Sequence, residues 1–416
     1  MPRRDRVLRR FRVLLRAEPT DVRAGFVAHL LATATGLLAG LILGSITGTL
    51  GELPGLLVLV PAAVGLRGNV FGALGSRLGT LVATGSFQLS RRRDTEVGQN
   101  LAASVALSLG LSLLLAVVAK GMAEAFGVRS SIGVGDLVVV SVIGAIIPTI
   151  VVMAITVGVA ALGVRHEWDV DNVSVPLVTA AGDLVTLPSL FLATFLVRDI
   201  ARWVPVIVAV VCVVGATLGL VAALRTHLPV LRRIVAESVP FLLVAGIVST
   251  FAGITIQSRL DTFDRHPALL MVIPPLLSLS GSLAGMLSAR VATKLHLGII
   301  TPSRASSRAS LRRVADDLTL VFAVAIPIFL VLGLAADVLS AVTGLASPGA
   351  LEMVGLVLMA GIVATALACV VAYAAALATY RLGWDPDNNG VPLVSSASDF
   401  LGAASLMVCL GILGLS

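Results

Sequence analysis

Apolar runs of about 20 or more residues recur along this chain from Val22 onward, each long enough to cross a bilayer as a helix. That pattern narrows the fold at once. In hydrocarbon every backbone N–H and C=O must be satisfied internally, and runs of this length achieve it as helices. A mean hydropathy of +1.02 with 13% charged residues excludes an ordinary soluble domain. The longest polar segments are the N-terminal tail and the loop 294–313, neither sufficient for a soluble domain of its own. The first apolar run, 24–46, is longer than the core of a secretory signal and no cleavage context follows it. Cys212, Cys369 and Cys409 all lie in apolar runs without metal-ligand spacing, and are expected to be small buried side chains.

Hydropathy places spans near 24–46, 56–85, 101–122, 136–162, 174–197, 203–224, 236–256, 268–297, 317–340, 351–380 and 391–414. With the N-terminus inside, the inner loops hold Arg91, Arg92, Arg93, Arg165, Arg225, Arg232, Arg233, Lys294, Arg304, Arg308, Arg312, Arg313 and Arg381. The outer loops hold only Lys120, Arg129, Arg198, Arg202, Arg259 and Arg265. This bias puts the N-terminus in the cytoplasm and the C-terminus outside. Seven arginines between Arg3 and Arg16 contribute to the net charge of +7. In a chain of this kind they read as a cytoplasmic tail lying against anionic lipid, in preference to a nucleic-acid-binding segment.

The chain repeats itself. "PAAVGLRGNVFGALGSRLGTLVATG" (61–85) aligns without gaps on "PPLLSLSGSLAGMLSARVATKLHLG" (274–298), matching Pro61, Gly68, Gly72, Arg77, Thr80 and Gly85 to Pro274, Gly281, Gly285, Arg290, Thr293 and Gly298. "WDVDNVSVPLVTAAGDLVTLPSL" (168–190) aligns on "WDPDNNGVPLVSSASDFLGAASL" (384–406) with 12 of 23 positions identical. The offset moves from 213 to 216, which assigns three extra residues in the second copy to the loop around 294–313. Each copy holds five spans, an odd number that by itself would invert the second copy. The span 203–224 has no counterpart and would carry the chain back across. The expected fold is therefore an all-α polytopic membrane protein. Its two tandem five-helix repeats are arranged as a parallel pseudo-dimer and joined by one linker helix, giving 11 transmembrane helices. The divisions are 1–21 (basic tail), 22–198 (first repeat), 199–234 (linker helix) and 235–416 (second repeat).

Asp183 stands inside an apolar run, where a carboxylate costs at least a few kcal/mol. Pro176, Thr179, Asp183 and Thr186 share one helical face, and Pro392, Ser395, Asp399 and Gly402 form the same stripe in the second copy. The pattern D-x4-P-x6-D runs through Asp171, Pro176 and Asp183 and again through Asp387, Pro392 and Asp399, with each proline expected in a first helical turn. In a pseudo-dimer, Asp183 and Asp399 would converge from opposite sides. Two facing carboxylates with hydroxyls beside them suit a hard cation, Mg²⁺ above all, which keeps most of its water and takes one or two carboxylates. A soft metal would want Cys or His, and neither lies on these stripes. The bland alternative is a pair of aspartates that cap or bond locally.

Gly65, Gly68, Gly72, Gly75 and Gly79 form a small-residue face that close helix packing alone explains. Asn69 beside that face is a candidate ligand through its amide oxygen, although the copy has Ser282 there. Arg77 and Arg290 are expected to snorkel at the cytoplasmic ends. Asp171, Asn172, Asp387 and Asn388 sit at the inner mouth, either as helix N-caps or as groups that draw cations in. Asp136 and Glu352 occupy the outer start of the fourth span of each repeat, as an outer acidic mouth or as solvated helix starts.

P-x6-G-N (Pro61, Gly68, Asn69) and D-x4-P-x6-D together resemble the signatures of the MgtE-type magnesium transporters, especially the tandem-repeat form of solute carrier family 41. The resemblance covers residues 22 to 414. It implies a Mg²⁺ transporter or channel, not an enzyme, in which Asp183 and Asp399 bind the ion in the membrane; Asn69, Thr179 and Ser395 are expected to assist from their positions beside the path. It further implies a multi-pass protein of the plasma membrane whose partners are a divalent cation and the lipid bilayer. Nucleic acid is not among them. A functional monomer follows from the internal pseudo-dimer. Mg²⁺ enters as transported substrate rather than resident cofactor, with Na⁺ as a candidate coupling ion. Two departures stand out. Gly281-Ser282 replaces Gly-Asn in the second repeat, and the bacterial members' large cytoplasmic sensor region has no counterpart here. Two other readings compete. An intramembrane aspartyl protease would need a Tyr before one Asp and a G-x-G-D motif at the other, where this chain has "AAG" and "SAS". A proton- or sodium-coupled carrier of another small solute would need polar and aromatic side chains at mid-membrane, and aromatics make up only 4% of the chain.

Overall fold

The computed structural model describes residues 19–90, 92, 94–128, 131–166, 170–201, 203–300, 308–383 and 390–415. Side chains are described over the same residues except 19–28, 165–166, 170–176 and 308–312. Among the described residues thirteen helices form: α1 (Pro19–Ser45), α2 (Thr47–Glu52), α3 (Leu56–Ala83), α4 (Glu96–Ala125), α5 (Val134–His166), α6 (Val170–Arg198), α7 (Trp203–Arg225), α8 (Pro229–Gln257), α9 (Leu260–Arg265), α10 (Ala268–His296), α11 (Arg308–Thr343), α12 (Ala350–Leu382) and α13 (Val391–Ile412). The eleven long ones fall on the eleven expected spans, and α2 and α9 are short turns after the first helix of each half. Ten are long and apolar enough to cross a membrane, and α1 adds a shorter apolar stretch, His29–Ser45. The chain is a multi-pass membrane protein.

Left-handed glycines end equivalent helices in both halves. Gly85 and Gly298 adopt φ of 69° and 67° after α3 and α10, and Gly127 and Gly344 adopt 71° after α4 and α11. Only glycine takes this conformation without a steric penalty, so each chain reversal is written into the sequence. These caps also refine the alignment. Gly127 to Gly344 is an offset of 217 (344 − 127), whereas Gly133 to Gly349 is 216 (349 − 133). The second copy thus gained four residues before α11 and lost one in the turn before α12, rather than gaining three in a single loop.

The neighbours repeat as well. In each half the second helix packs on the third, fourth and fifth (α3 on α4, α5 and α6; α10 on α11, α12 and α13). The first helix does something the sequence does not announce: it crosses to the other half. α1 packs heavily on α10, and α8 packs on α3 and α4. Two glycines allow it. A Cβ on Gly40 would lie 2.0 Å from the Met271 carbonyl oxygen, and one on Gly253 would lie 2.4 Å from the Val58 carbonyl oxygen. Both pairs sit at the offset of 213 (253 − 40 and 271 − 58), so the same backbone-to-helix contact is made twice. Such close approach is how small residues bring membrane helices together.

One end of the bundle is tied by Arg198, whose guanidinium donates to Thr49 Oγ1 at 2.8 Å and pairs with Glu52, and by the bond from Ile132 N–H to Pro54 O at 3.0 Å. At the other end Gln99 Oε1 accepts from the N–H groups of Val230 and Leu231 (3.1 and 3.2 Å), capping the start of α8 with a residue of α4. Arg77 and Arg290 also sit at this end, each with a partner in the bundle. Arg77 Nε donates to Asn100 Oδ1 at 2.8 Å, and Arg290 pairs with Asp317 at 3.3 Å, alongside Lys294 at 2.5 Å. Each arginine is held by the third helix of its own half. The linker α7 lies on α4 and α5 and exposes Val206, Val210, Val211, Val214 and Leu218, the apolar face expected toward lipid.

Candidate cation site

Asp183 and Asp399 stand well inside α6 and α13, only 4% and 8% exposed. Asp399 lies within electrostatic reach of Asp183. The surroundings of each are built from both halves. Asp399 Oδ2 accepts a hydrogen bond from Ser249 Oγ of α8 at 2.8 Å. It faces Gly65 of α3, where a Cβ would lie 3.2 Å from that oxygen. Asp183 is met by the Ser278 side chain of α10, while its Oδ2 is buried without a partner. Gly65 and Ser278 are the same position in the two copies, 213 apart (278 − 65). Each carboxylate is therefore met by the second helix of the opposite half, at the equivalent residue.

The serines are distributed unevenly within this frame. The counterpart of Ser249 at the same offset is Gly36, whose Cβ position is filled by Pro275 at 2.8 Å. Hence α1 supplies no hydroxyl to Asp183. Conversely, Gly65 supplies none to Asp399. Each carboxylate is met by one serine: Asp399 accepts from Ser249 of the first helix of its own half, and Asp183 faces Ser278 of the second helix of the other.

The other expected residues sort themselves around the pair. Asn69 is buried and lines a cavity with Val70, Ala73, Arg77, Leu107, Ser238, Leu242 and Pro392. It lies one turn from Gly65, and Pro392 lies two turns from Asp399, so the cavity leads toward the Asp399 side. Thr179 and Ser395 are half-buried at the seams within each half: the Thr179 methyl lies 4.0 Å from a Cβ built on Gly68, and the Ser395 Cα 4.0 Å from one built on Gly281. Thr186, on the same stripe as Asp183, is fully buried with its hydroxyl unpartnered.

The small-residue face of α3 is not a packing face throughout. Nothing lies within 4 Å of a Cβ at Gly72 or at its counterpart Gly285. Pro392 occupies the first turn of α13 as expected, but α6 begins at Val170, which puts Pro176 in its second turn. The missing N–H of Pro176 then leaves the Asn172 carbonyl without its helical donor. Asp136 and Glu352 sit in the first turns of α5 and α12, near Gly133 and Gly349 respectively. Asp387 and Asn388 lie outside the described residues, as do the side chains of Asp171 and Asn172.

Three participants escaped the sequence reading. Ser249 and Ser278 are ordinary serines in apolar runs, visible only once the helices are packed, Ser249 within its own half and Ser278 across to the other. Arg67 had a signal. It lies within the quoted "GLRGN" segment, a charged residue inside an apolar run, singled out by the same argument that singled out Asp183. In the structure it is 0% exposed.

An all-helical membrane bundle with a buried carboxylate pair shared between two similar halves belongs to the class of polytopic transport proteins. The comparisons carry this further. The profile of the MgtE family, described as divalent cation transporter, matches residues 60–193 and 273–409. The chain belongs to that family: it is a divalent cation transporter and not an enzyme. Among curated proteins it is 25% identical over 370 residues to solute carrier family 41 member 3 of Rattus norvegicus, covering 85% of this chain and 78% of the relative. It is 26% identical over 252 residues to member 2 of Gallus gallus, covering 58% of this chain and 42% of the relative. The member 2 protein of Homo sapiens is 24% identical over 251 residues. No solved structure matches the chain.

Proposed function

We propose that this protein moves Mg²⁺ across the cell membrane along a path between its two halves, with Asp183 and Asp399 as the shared ion site. The observation that carries the reading is the crossed arrangement: two buried carboxylates within electrostatic reach, each facing the equivalent residue of the opposite half's second helix. Two carboxylates this close in an apolar interior are costly unless a cation bridges them. Mg²⁺ dehydrates reluctantly and prefers to keep several waters. In this reading Ser249 and Ser278 orient the carboxylates, and Asn69, Thr179 and Ser395 hold hydration water along the approach. The two halves act as a parallel pseudo-dimer, so one chain is the functional unit. The N-terminus is cytoplasmic and the C-terminus outside, with Asp171, Asn172, Asp387 and Asn388 at the inner mouth.

The test is Mg²⁺ flux into proteoliposomes for the wild type, Asp183→Asn, Asp399→Asn and the double variant. Loss of flux in each single variant supports one shared site. Flux that survives the double change overturns it and sends the search to Asn69 and its cavity. Repeating the assay with imposed Na⁺ or proton gradients distinguishes coupled transport from passive conduction.

A further inference from the structure

The interior contains a charge that the ion site does not account for. Arg67, on α3, is fully buried, and no described carboxylate lies within ion-pair distance of it. Its guanidinium donates to two neutral acceptors, the Ala63 carbonyl at 2.6 Å and Ser112 Oγ of α4 at 2.8 Å. Its Nε has no partner. A buried guanidinium without a counter-charge is expensive, and two neutral hydrogen bonds do not offset it.

The complementary orphan is on the helix packed against it. Asp183 Oδ2 is buried without a partner, and the residue before it, Gly182, lies in van der Waals range of Arg67, where a Cβ would be 3.9 Å from the Arg67 Cβ. The second half lacks both orphans. Ser280 replaces Arg67 at the offset of 213, its hydroxyl bonded to the Leu277 carbonyl, and Asp399 Oδ2 is held by Ser249. The half that has a buried arginine is the half whose carboxylate has an unpartnered oxygen.

Ser112 is the end of a polar stripe confined to the first half. Ser104, Ser108 and Ser112 recur every four residues on α4, all fully buried. Ser112 donates to the Ser108 carbonyl at 2.6 Å, Ser108 bonds Thr149 Oγ1 at 2.7 Å, and Ser141 donates to the Ser112 carbonyl at 2.7 Å. At the offset of 217 the second half has Val321, Ala325 and Phe329. The stripe gives the guanidinium a polar resting place that the other half does not build.

We infer that Arg67 is a tethered counter-ion for Asp183 with two stations: it rests on Ser112 and the Ala63 carbonyl when a divalent cation occupies the carboxylates, and turns to Asp183 when the site is empty. The inference rests on Asp183 being part of the ion site. Arg67 is a positioning residue that competes with the transported ion, in one half only. The empty interior then carries a net charge of one negative unit instead of two, and the arriving ion must displace the arginine. Two opposite shifts follow. Arg67→Gln removes the competitor and tightens Mg²⁺ binding, on the order of tenfold for one unit charge acting across a partly polar interior. Ser112→Ala removes the resting station, holds the arginine on Asp183 and weakens binding by several-fold.

The experiment is Mg²⁺ titration of the purified full chain, read as equilibrium affinity from the Mg²⁺-dependent rise in Tm, for the wild type, Arg67→Gln, Arg67→Lys, Ser112→Ala and Asp183→Asn. Each of the first three changes is also made in the Asp183→Asn background. Tighter binding in Arg67→Gln, weaker binding in Ser112→Ala, near-wild-type affinity in Arg67→Lys, and loss of all these effects in the Asp183→Asn background support the inference. Unchanged affinity in Ser112→Ala overturns it, and that variant decides the matter if Arg67→Gln does not fold. Shifts that persist unchanged in the Asp183→Asn background overturn it too, because Arg67 then acts only on the packing of α3. If Asp183→Asn itself leaves Mg²⁺ affinity and flux untouched, the ion-site reading fails instead, and the two failures are distinguishable.

Discussion

The two halves of this protein share a frame and differ in what fills it. In both, the second helix packs on the third, fourth and fifth of its own half, and the first helix crosses to the other. Inside that frame the first half is polar, with Arg67, Ser104, Ser108, Ser112, Ser141 and Thr149 all buried. The second half lacks the counterpart of that serine stripe, with Val321, Ala325 and Phe329 in its place. Phe329 stands where Ser112 does, fully buried, and Gly361 approaches its ring so closely that a Cβ would lie 2.5 Å from it. The exchange conserves volume: a large arginine facing a small serine in one half, a small serine (Ser280) and a large phenylalanine in the other. After a duplication, one copy can keep the packing while the other takes on polar chemistry, provided the sum of facing side chains stays the same.

The same comparison orders the predictions. Asp183→Asn and Asp399→Asn should cause the largest loss, each reducing Mg²⁺ flux by about a hundredfold or more if removal of a buried ligand costs roughly 3 kcal/mol. A marked inequality between them in the proteoliposome assay would show that the halves are not functionally equivalent. Phe329→Ala should destabilise by about 3–5 kcal/mol, since it empties one of the second half's largest core positions, as read from the thermal unfolding of detergent-purified protein. Gly40→Ala and Gly253→Ala should each cost about 1–3 kcal/mol by forcing the crossed helices apart at Met271 and Val58. If only one of the two is harmful, the crossing contacts are unequal. Ser249→Ala should weaken Mg²⁺ affinity by roughly fivefold, near the 1 kcal/mol of a buried hydrogen bond in a membrane interior. Gly36→Ser would test the converse, whether a hydroxyl from α1 can serve Asp183. The smallest effect belongs to Gly72→Ala and Gly285→Ala, where a Cβ meets nothing within 4 Å and stability should stay within about 0.5 kcal/mol.

The helix boundaries, the duplication and the two aspartates were legible in the residues, because each follows from local rules: the length of an apolar run, glycines in the left-handed region, and the cost of a charge in hydrocarbon. The same cost should have drawn attention to Arg67, which stands in its apolar run just as Asp183 does. The partners of Arg77 and Arg290 were not legible: position near helix ends suggests snorkelling, and that Asn100 and Asp317 on the third helices meet them is known only from the packed structure. The glycines of α3 were read as one packing face, and the structure divides them: Gly65 makes room for Asp399, Gly68 meets Thr179, and Gly72 faces open space.

What the sequence determined alone is everything that depends on a residue and its near neighbours along the chain. It set eleven long helices, two copies, and a carboxylate at the same register in each. What only the tertiary structure decided is which half serves which carboxylate. The crossing of α1 and α8 depends on Gly40 and Gly253 meeting backbones far along the chain, 231 residues (271 − 40) and 195 residues (253 − 58) away. Periodicity along one helix carries no information about that partner. Whether a serine serves Asp183 or Asp399 therefore becomes known only when the helices are packed.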